Sequence, residues 1–323
     1  MINKEDMKVR SRGIGSSEIA MLVTDNEGKP LCPWGGRHKL WRKKTGQEPE
    51  VESTDAQLRG IILEPALIKW YEKLTGNSVL ETKTIQSEKH PIVIDSADGL
   101  VFEKGNDSPT KCLEVKTTHY SRRSDWGEPG TDDIPKHYLL QGIWHCGAHE
   151  LPSCDFPAFW GDKLQIYTAK FDEDMFLGLV DLANRFWKDH IVGGKAPDPD
   201  GDKETSKWIS ANLEQKGKKI VEADDAMAEK LLMYRTARIK SKALEQDVRK
   251  MENEIKLLIG ENYGMEISNT KQRVTFPEVK GRTVTDWKSI TKDLGAPKDI
   301  IEKHTRIGNP YRRFIATGLM NNE

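Results

Sequence analysis

"SADGLVFEKGNDSPTKCLEVKTTHY", residues 96–120, decides how this chain is read. Two short runs rich in Val, Leu and Thr flank "KGNDSP", a stretch of turn-forming residues, and that pattern predicts a β-hairpin. Side chains two apart on a strand share a face. Glu114 and Lys116 therefore project together, while Leu113 and Val115 turn the other way, toward a core. The hairpin carries Asp98 alongside Glu114. Two carboxylates beside one ammonium suit metal-assisted hydrolysis: hard oxygen ligands hold Mg²⁺ or Mn²⁺ and leave positions open for water and phosphate. The metal acidifies its water and screens charge on the phosphorus oxygens, and Lys116 orients that water or stabilises the charge. An E-x-K triplet is common by chance, and the same residues also read as cross-strand surface charges.

Working outward, the elements alternate between helix and strand, an α/β order. Upstream, "TDAQLRGIILEPALIKWYEKLTG" (54–76) predicts a helix capped by Thr54 and ended by Gly76. Leu58, Ile62, Leu67, Trp70 and Leu74 are its expected core residues, and Pro65 should kink or interrupt it. "SVLETKTIQ" (78–86), "PIVIDSADGLVFE" (91–103) and "KCLEVKTT" (111–118) read as strand. Downstream come a helix in "PKHYLLQGIWHCGA" (135–148), strands in "DFPAFWGD" and "LQIYTAKF", and an amphipathic helix over 173–191. In "RSRGIGSSEIAMLV" (10–23), Ser16 or Ser17 is an expected helix N-cap whose free N–H groups attract an anion; the glycines fit neither a Rossmann nor a Walker pattern.

"GGKAPDPDGDKET" (193–205) reads as a linker. Beyond it, 221–259 predicts a long charged helix with a heptad seam of Leu244, Val248, Met251, Ile255 and Leu258, expected to pack back on its own chain rather than dimerise. A small α+β tail follows and ends in the basic "YRRF" (311–314). The predicted organisation is a domain over 1–192, the linker, and a C-terminal extension over 206–323.

A net charge of -1 gives no global field toward nucleic acid, although basic clusters occur locally. "RHKLWRKK" offers Arg37, Lys39, Arg42 and Lys43 to phosphates, with Trp41 either stacking on a base or anchoring the helix. Arg122 and Arg123 either contact a DNA backbone or lie in a solvated loop. Cys32, Cys112, Cys146 and Cys154 lack C-x-x-C spacing, so neither a zinc site nor an iron–sulfur cluster is expected. His137 and His145 flank Gln141 on one helix face without a third ligand for zinc. With no membrane-spanning apolar run and no signal-peptide pattern, the expected location is the cytoplasm and no membrane partner is expected.

In order along the chain, "RSRGIGSSEIA", "PWGGRHKLWRKKTG", "RGIILEPALIKWYEKLTG", "SADGLV", "LEVKTT" and "YLLQGIW" resemble the YqaJ-like viral recombinases. These are phage exonucleases similar to lambda exonuclease, within the PD-(D/E)-x-K nuclease superfamily. The resemblance covers residues 10 to about 192. It implies a restriction-endonuclease-like core: a mixed central sheet flanked by helices. It also implies a Mg²⁺-dependent deoxyribonuclease, most simply a 5′-to-3′ exonuclease on linear duplex DNA that leaves 3′ overhangs. An endonuclease on branched or modified DNA and a non-catalytic DNA-binding module are the alternatives.

By resemblance, Asp98 and Glu114 are metal carboxylates and the Val115 carbonyl a further ligand. Lys116 is the catalytic lysine. Glu64 in "LEP" serves a second metal or its waters, and Gln141 holds the lysine and the attacking water. Arg10 and Ser17 bind the terminal 5′ phosphate, with Arg12 close enough to share or replace Arg10. The implied partners are duplex DNA ends, a phage single-strand annealing protein, and further copies of the chain in a homo-oligomer, ring-shaped in the best-known family member. The extension past the linker departs from that pattern.

Overall fold

A computed structural model of the protein describes residues 4–48, 53–213, 217–218, 220–268, 272–281 and 284–305. The chain divides into two compact units, Met1–Lys207 and Trp208–Glu323. The first contains α1 (Lys4–Arg10), β1 (Ile14–Gly15), α2 (Arg37–Lys44), α3 (Asp55–Thr75), β2 (Ser78–Leu80), β3 (Ile85–Gln86), β4 (Val93–Asp95), β5 (Gly99–Phe102), β6 (Lys111–Leu113), β7 (Lys116–Thr117), α4 (Lys136–His149), β8 (Ser153–Phe159), β9 (Leu164–Lys170) and α5 (Glu173–Phe186). The helix α6 (Lys203–Asn212) crosses the division.

Its main sheet is mixed. Antiparallel pairs join β2 to β5, β5 to β6 and β8 to β9, while β6 and β7 both run parallel to β8. One constant register links Cys112 to Cys154 and Thr117 to Phe159, so β6 and β7 are a single strand whose ladder lapses at Glu114 and Val115. At the facing position on β8 stands Pro157, which has no N–H to give. The runs 78–86 and 91–103, which look continuous in sequence, each divide between two sheets. β3 and β4 leave the main sheet and, with β1, form a smaller one in the order β1-β4-β3. The corner lies at "DSAD", where the backbone of Ala97 donates to the carboxylate of Asp95 (3.1 Å).

Strand alternation sorts the two faces of the main sheet. Leu113 joins Val101, Ile68 and Tyr71 under α3, with Val115 packed alongside. Cys112, Cys146, Cys154, Phe156 and Tyr167 form the core on the α4 side. The helix α4 is seated closely there: a Cβ at Gly142 would lie 2.8 Å from the Phe156 ring. All four cysteines are buried free thiols; burial pushes the thiols of Cys32 and Cys154 up, and the Cys146 hydrogen bond and then burial do the same for Cys112.

The helix α3 corrects two expectations. It runs unbroken through Pro65, closed by a capping box at Thr54 and Gln57 and by Gly76 in the left-handed region. Its core residues are Leu67, Ile68 and Tyr71, whereas Leu58, Ile62, Trp70 and Leu74 are 38–64% exposed. The buried stripe runs 64, 67, 68, 71, which places Glu64 on the sheet-facing side.

The segment 193–205 is not a free linker. It has no regular structure until α6 begins, yet Pro197 is buried and Thr205 is fully buried, accepting from Arg42 Nη1 at 3.2 Å.

The second unit contains α7 (Asp225–Ile259), the antiparallel hairpin β10 (Gly264–Ile267) and β11 (Gln272–Thr275), and the short helices α8 (Trp287–Asp293) and α9 (Lys298–Lys303). The five residues of the expected seam on α7 are 39–72% exposed among the described residues. The "YRRF" stretch lies outside the described residues. Among the described residues no helix is long and apolar enough to cross a membrane.

Candidate active site

The hairpin delivers its carboxylates side by side. Gly99 pairs with Leu113, the Asp98 amide donates to the Leu113 carbonyl (3.1 Å), and Asp98 Oδ2 accepts from the Val115 amide (2.7 Å). Glu114 and Lys116 share a face as their spacing requires, with Lys116 Nζ donating to Glu114 Oε1 (2.7 Å) and to Gln141 Oε1 (3.0 Å). Gln141 Nε2 closes the triangle on Glu114 Oε1 (2.6 Å).

Gln141 is one of four polar residues spaced by four along α4: His137, Gln141, His145 and His149. Such spacing stacks side chains on one helix face, here the face toward the carboxylates. His145 is fully buried; it donates from Nδ1 to Asp95 Oδ1 (2.7 Å), and its Nε2 lies 3.2 Å from Glu114 Oε2 without the alignment of a hydrogen bond. His149 Nε2 lies 3.0 Å from Asp95 Oδ2. The charges alternate through this buried row. Burial alone would lower His145, but Asp95 and Glu114 raise it well above the usual imidazole range. Asp95 is held far below the carboxylate range, its burial outweighed by His145 and His149.

Burial also opposes the ionisation of Glu114, but Lys116 and His145 prevail and bring it down to about 2. Lys116 is raised despite burial, chiefly by Glu114; it is a fixed ammonium. On the other side the balance reverses. Asp98 is pushed well above the carboxylate range by burial and by the charges of Glu114 and Glu64. Glu64 is raised by burial, then by Glu114 and Glu81.

This donor set fits a divalent cation in chemistry and charge: hard carboxylate oxygens, two of them without enough positive charge nearby, and a buried Glu114 Oε2 with no hydrogen bond. Among the described residues no three side chains converge on one point as metal ligands, so the structure supplies the donors rather than a coordination geometry.

The expected helix N-cap in "RSRGIGSSEIA" is corrected. The segment enters β1 beside β4, and only a three-residue turn, Ile19–Met21, follows, with no side-chain cap. Gly13 serves close approach, since a Cβ there would lie 2.3 Å from the Ile92 carbonyl. What forms instead is a cavity of about 70 Å³ lined by Arg10, Ser16, Ser17, Glu18, Lys43 and Ser96, among others. Arg12 is exposed and outside this lining. Glu18 is lowered against its burial by Lys44 and Lys43; it accepts from the Gly15 amide (3.0 Å), and Lys44 Nζ and Lys43 Nζ lie 2.6 Å and 3.1 Å from its oxygens. Ser96 stands two residues before Asp98, so the cavity adjoins the carboxylates along the chain.

Other basic residues divide between fold and surface. Arg42 is buried, bound to Glu48 and Thr205, and cannot meet phosphate. Arg123 is tied to the Trp126 and Gly127 carbonyls, whereas Arg122 is exposed and paired with Asp125. Asp95 and His149 were absent from the sequence reading, and His145 entered it only as half of a zinc site. The i, i+4 repeat of His and Gln on one helix was the available signal.

The fold is thus an α/β architecture, a mixed sheet flanked by helices, with acidic residues gathered at a corner of the central hairpin. Residues 7–146 match the family model of the YqaJ-like viral recombinase domain. Over 256 residues the chain is 26% identical to the uncharacterized protein YqaJ of Bacillus subtilis (strain 168), covering 76% of this chain and 75% of that one. Similar solved structures include an alkaline exonuclease from Laribacter hongkongensis, at 18% identity and a TM-score of 0.46, covering 59% of this chain and 94% of that one. A phage-related exonuclease from Haemophilus somnus 129PT matches at 12% identity and a TM-score of 0.43, covering 57% and 96%.

Proposed function

We propose that this chain is a divalent-metal-dependent deoxyribonuclease, a 5′-to-3′ exonuclease on linear duplex DNA that leaves 3′ overhangs. The observation that carries the reading is the closed triangle of Glu114, Lys116 and Gln141 beside Asp98, on a domain that matches the YqaJ-like family model. Asp98, Glu114 and the Val115 carbonyl would hold Mg²⁺ or Mn²⁺, with Glu64 serving a second ion or its water. A metal bound there supplies an acidified water and charge neutralisation at the phosphate.

The chain's own residues do the rest. Lys116 stays protonated, so it acts as a donor to the attacking water or the phosphate oxygen rather than as a base. Gln141 fixes the ammonium from one side and Glu114 from the other, and His145 with Asp95 holds Glu114. Arg10 and Ser17, both lining the cavity, would take a terminal 5′ phosphate, for which an arginine fork and a hydroxyl supply geometry as well as charge. An overhang so produced suits a phage single-strand annealing protein, and a ring of copies would keep the enzyme on its DNA.

The test is digestion of 5′-phosphorylated linear duplex labelled at each end, with closed circular and 5′-dephosphorylated duplex as comparators and with Mg²⁺, Mn²⁺ or EDTA. Metal-dependent release from the 5′-labelled end alone is expected. Digestion of closed circles would replace the exonuclease reading with an endonuclease, and hydrolysis surviving Glu114→Ala and Lys116→Ala would overturn the assigned site.

A further inference from the structure

Trp41, the tryptophan with a possible base-stacking reading in the sequence, is buried; a different one faces solvent. Trp34, in the loop ahead of α2, is 55% exposed. A ring of this size is ordinarily well buried, and this one is held in place rather than left loose. Its ring meets His137 edge-on (centroids 5.1 Å apart, 89° between planes) and lies 6.3 Å from Tyr138. Lys39 Nζ donates to the Trp34 carbonyl at 2.8 Å. His137 and Tyr138, neighbours on the first turn of α4, have their rings 4.0 Å apart. The Tyr138 ring in turn faces Lys116 Nζ at 4.6 Å. A continuous row of three rings therefore runs from solvent to the lysine of the candidate site.

The electrostatics around this row are those of a nucleic-acid contact. His137 is pushed down to about 4 by burial and by the cations Lys116 and Arg122, so the row itself is uncharged at neutral pH. Lys39, Lys116 and the exposed Arg122 supply positive charge around it, as phosphates require. A flat aromatic face beside such cations favours an aromatic ligand that carries its own negative charge. Nucleobases stack on such faces with little regard to sequence, since every base has a π-face. Bases inside a duplex have both faces covered, so only a terminal or unpaired base can meet the ring.

We propose that Trp34 is the stacking platform for a terminal, unpaired nucleobase of the DNA strand whose phosphodiester lies at Lys116. The inference rests on reading the site as that of a DNA exonuclease, and it names the residue that receives the frayed end.

A 5′-phosphorylated duplex with 2-aminopurine as its 5′-terminal base, bound in EDTA, tests it. Binding to the wild type is expected to quench the 2-aminopurine. Trp34→Ala and Trp34→Leu should abolish that quenching and weaken binding of a frayed end by roughly five- to a hundred-fold, the range of one base stack, while Trp34→Phe keeps most of both. On a duplex whose terminal nucleotide is abasic, wild type and Trp34→Ala should bind alike. With Mg²⁺, Trp34→Ala should raise KM for frayed ends more than it lowers kcat. Equal weakening on intact and abasic ends, or quenching that survives Trp34→Leu, would overturn the proposal and mark the ring as scaffold or as a protein-docking residue. A wild type that degrades DNA without quenching overturns this inference alone. One that neither binds nor degrades DNA overturns the nuclease reading along with it.

Discussion

The two flanks of the carboxylate cluster are built on opposite electrostatic terms. On the α4 flank every acid has a cation: Asp95 has His145, with His149 Nε2 also within 3.0 Å, and Glu114 has Lys116 and His145. On the α3 flank Asp98 and Glu64 repel one another and Glu114, and their carboxyls are raised. The first flank is balanced in charge. The second is short of positive charge in the way a metal site is before its ion arrives. The difference teaches where each kind of residue should be sensitive: the α4 flank through folding and positioning, the α3 flank through metal.

The hardest way to break the first flank is Lys116→Ala. Hydrolysis should fall on the order of a thousand-fold while DNA binding in EDTA survives, as steady-state rates and filter binding would show. Next, His145→Ala takes one partner from each of two buried acids, and breaking a buried pair of this kind costs about 3–5 kcal/mol. Chemical denaturation would measure it, and His145→Gln, which restores a donor, should recover part of the loss.

On the α3 flank, Asp98→Asn should abolish metal-dependent hydrolysis yet stabilise the metal-free chain at neutral pH. Mg²⁺ should raise the melting temperature of the wild type by on the order of 2–4 °C for each kcal/mol of binding gained, and leave Asp98→Asn nearly unmoved. A wild type that melts at the same temperature with and without Mg²⁺ would remove the contrast.

The smallest effect is the pH dependence. Asp98 and Glu64 have raised folded pKa values, so their contribution to stability is complete below the ordinary carboxylate value of about 4 and is lost as pH rises through the raised ones. Metal-free protein should therefore lose stability on that upward path, with a shallower slope in Asp98→Asn.

Much of this arrangement was legible in residues close together in sequence. Glu114 and Lys116 follow from a two-residue period, and Asp98 from the hairpin. What escaped reading depends on distance along the chain. Asp95 reads as one more residue of a strand until α4, fifty residues on, is laid over it. Glu64 reads as a solvated helix acid because α3 has apolar residues on both faces, and only the sheet decides which face is covered. Trp41 stays open between stacking and anchoring because "RHKLWRKK" is too short for its period to show which side faces inward; the fold buries it. The seam of α7 follows the heptad rule in spacing, yet its residues stand exposed among the described residues.

The close seat of α4 makes the site hostage to an absent methyl group. His137, Gln141, His145 and His149 ride on one rigid rod, and the rod sits as deep as it does because Gly142 presents nothing to Phe156. A Gly142→Ala change would act as a wedge beneath a lever. It would lift the amide from Lys116 and the imidazole from Glu114 together, and disarm the centre without altering any polar side chain in it.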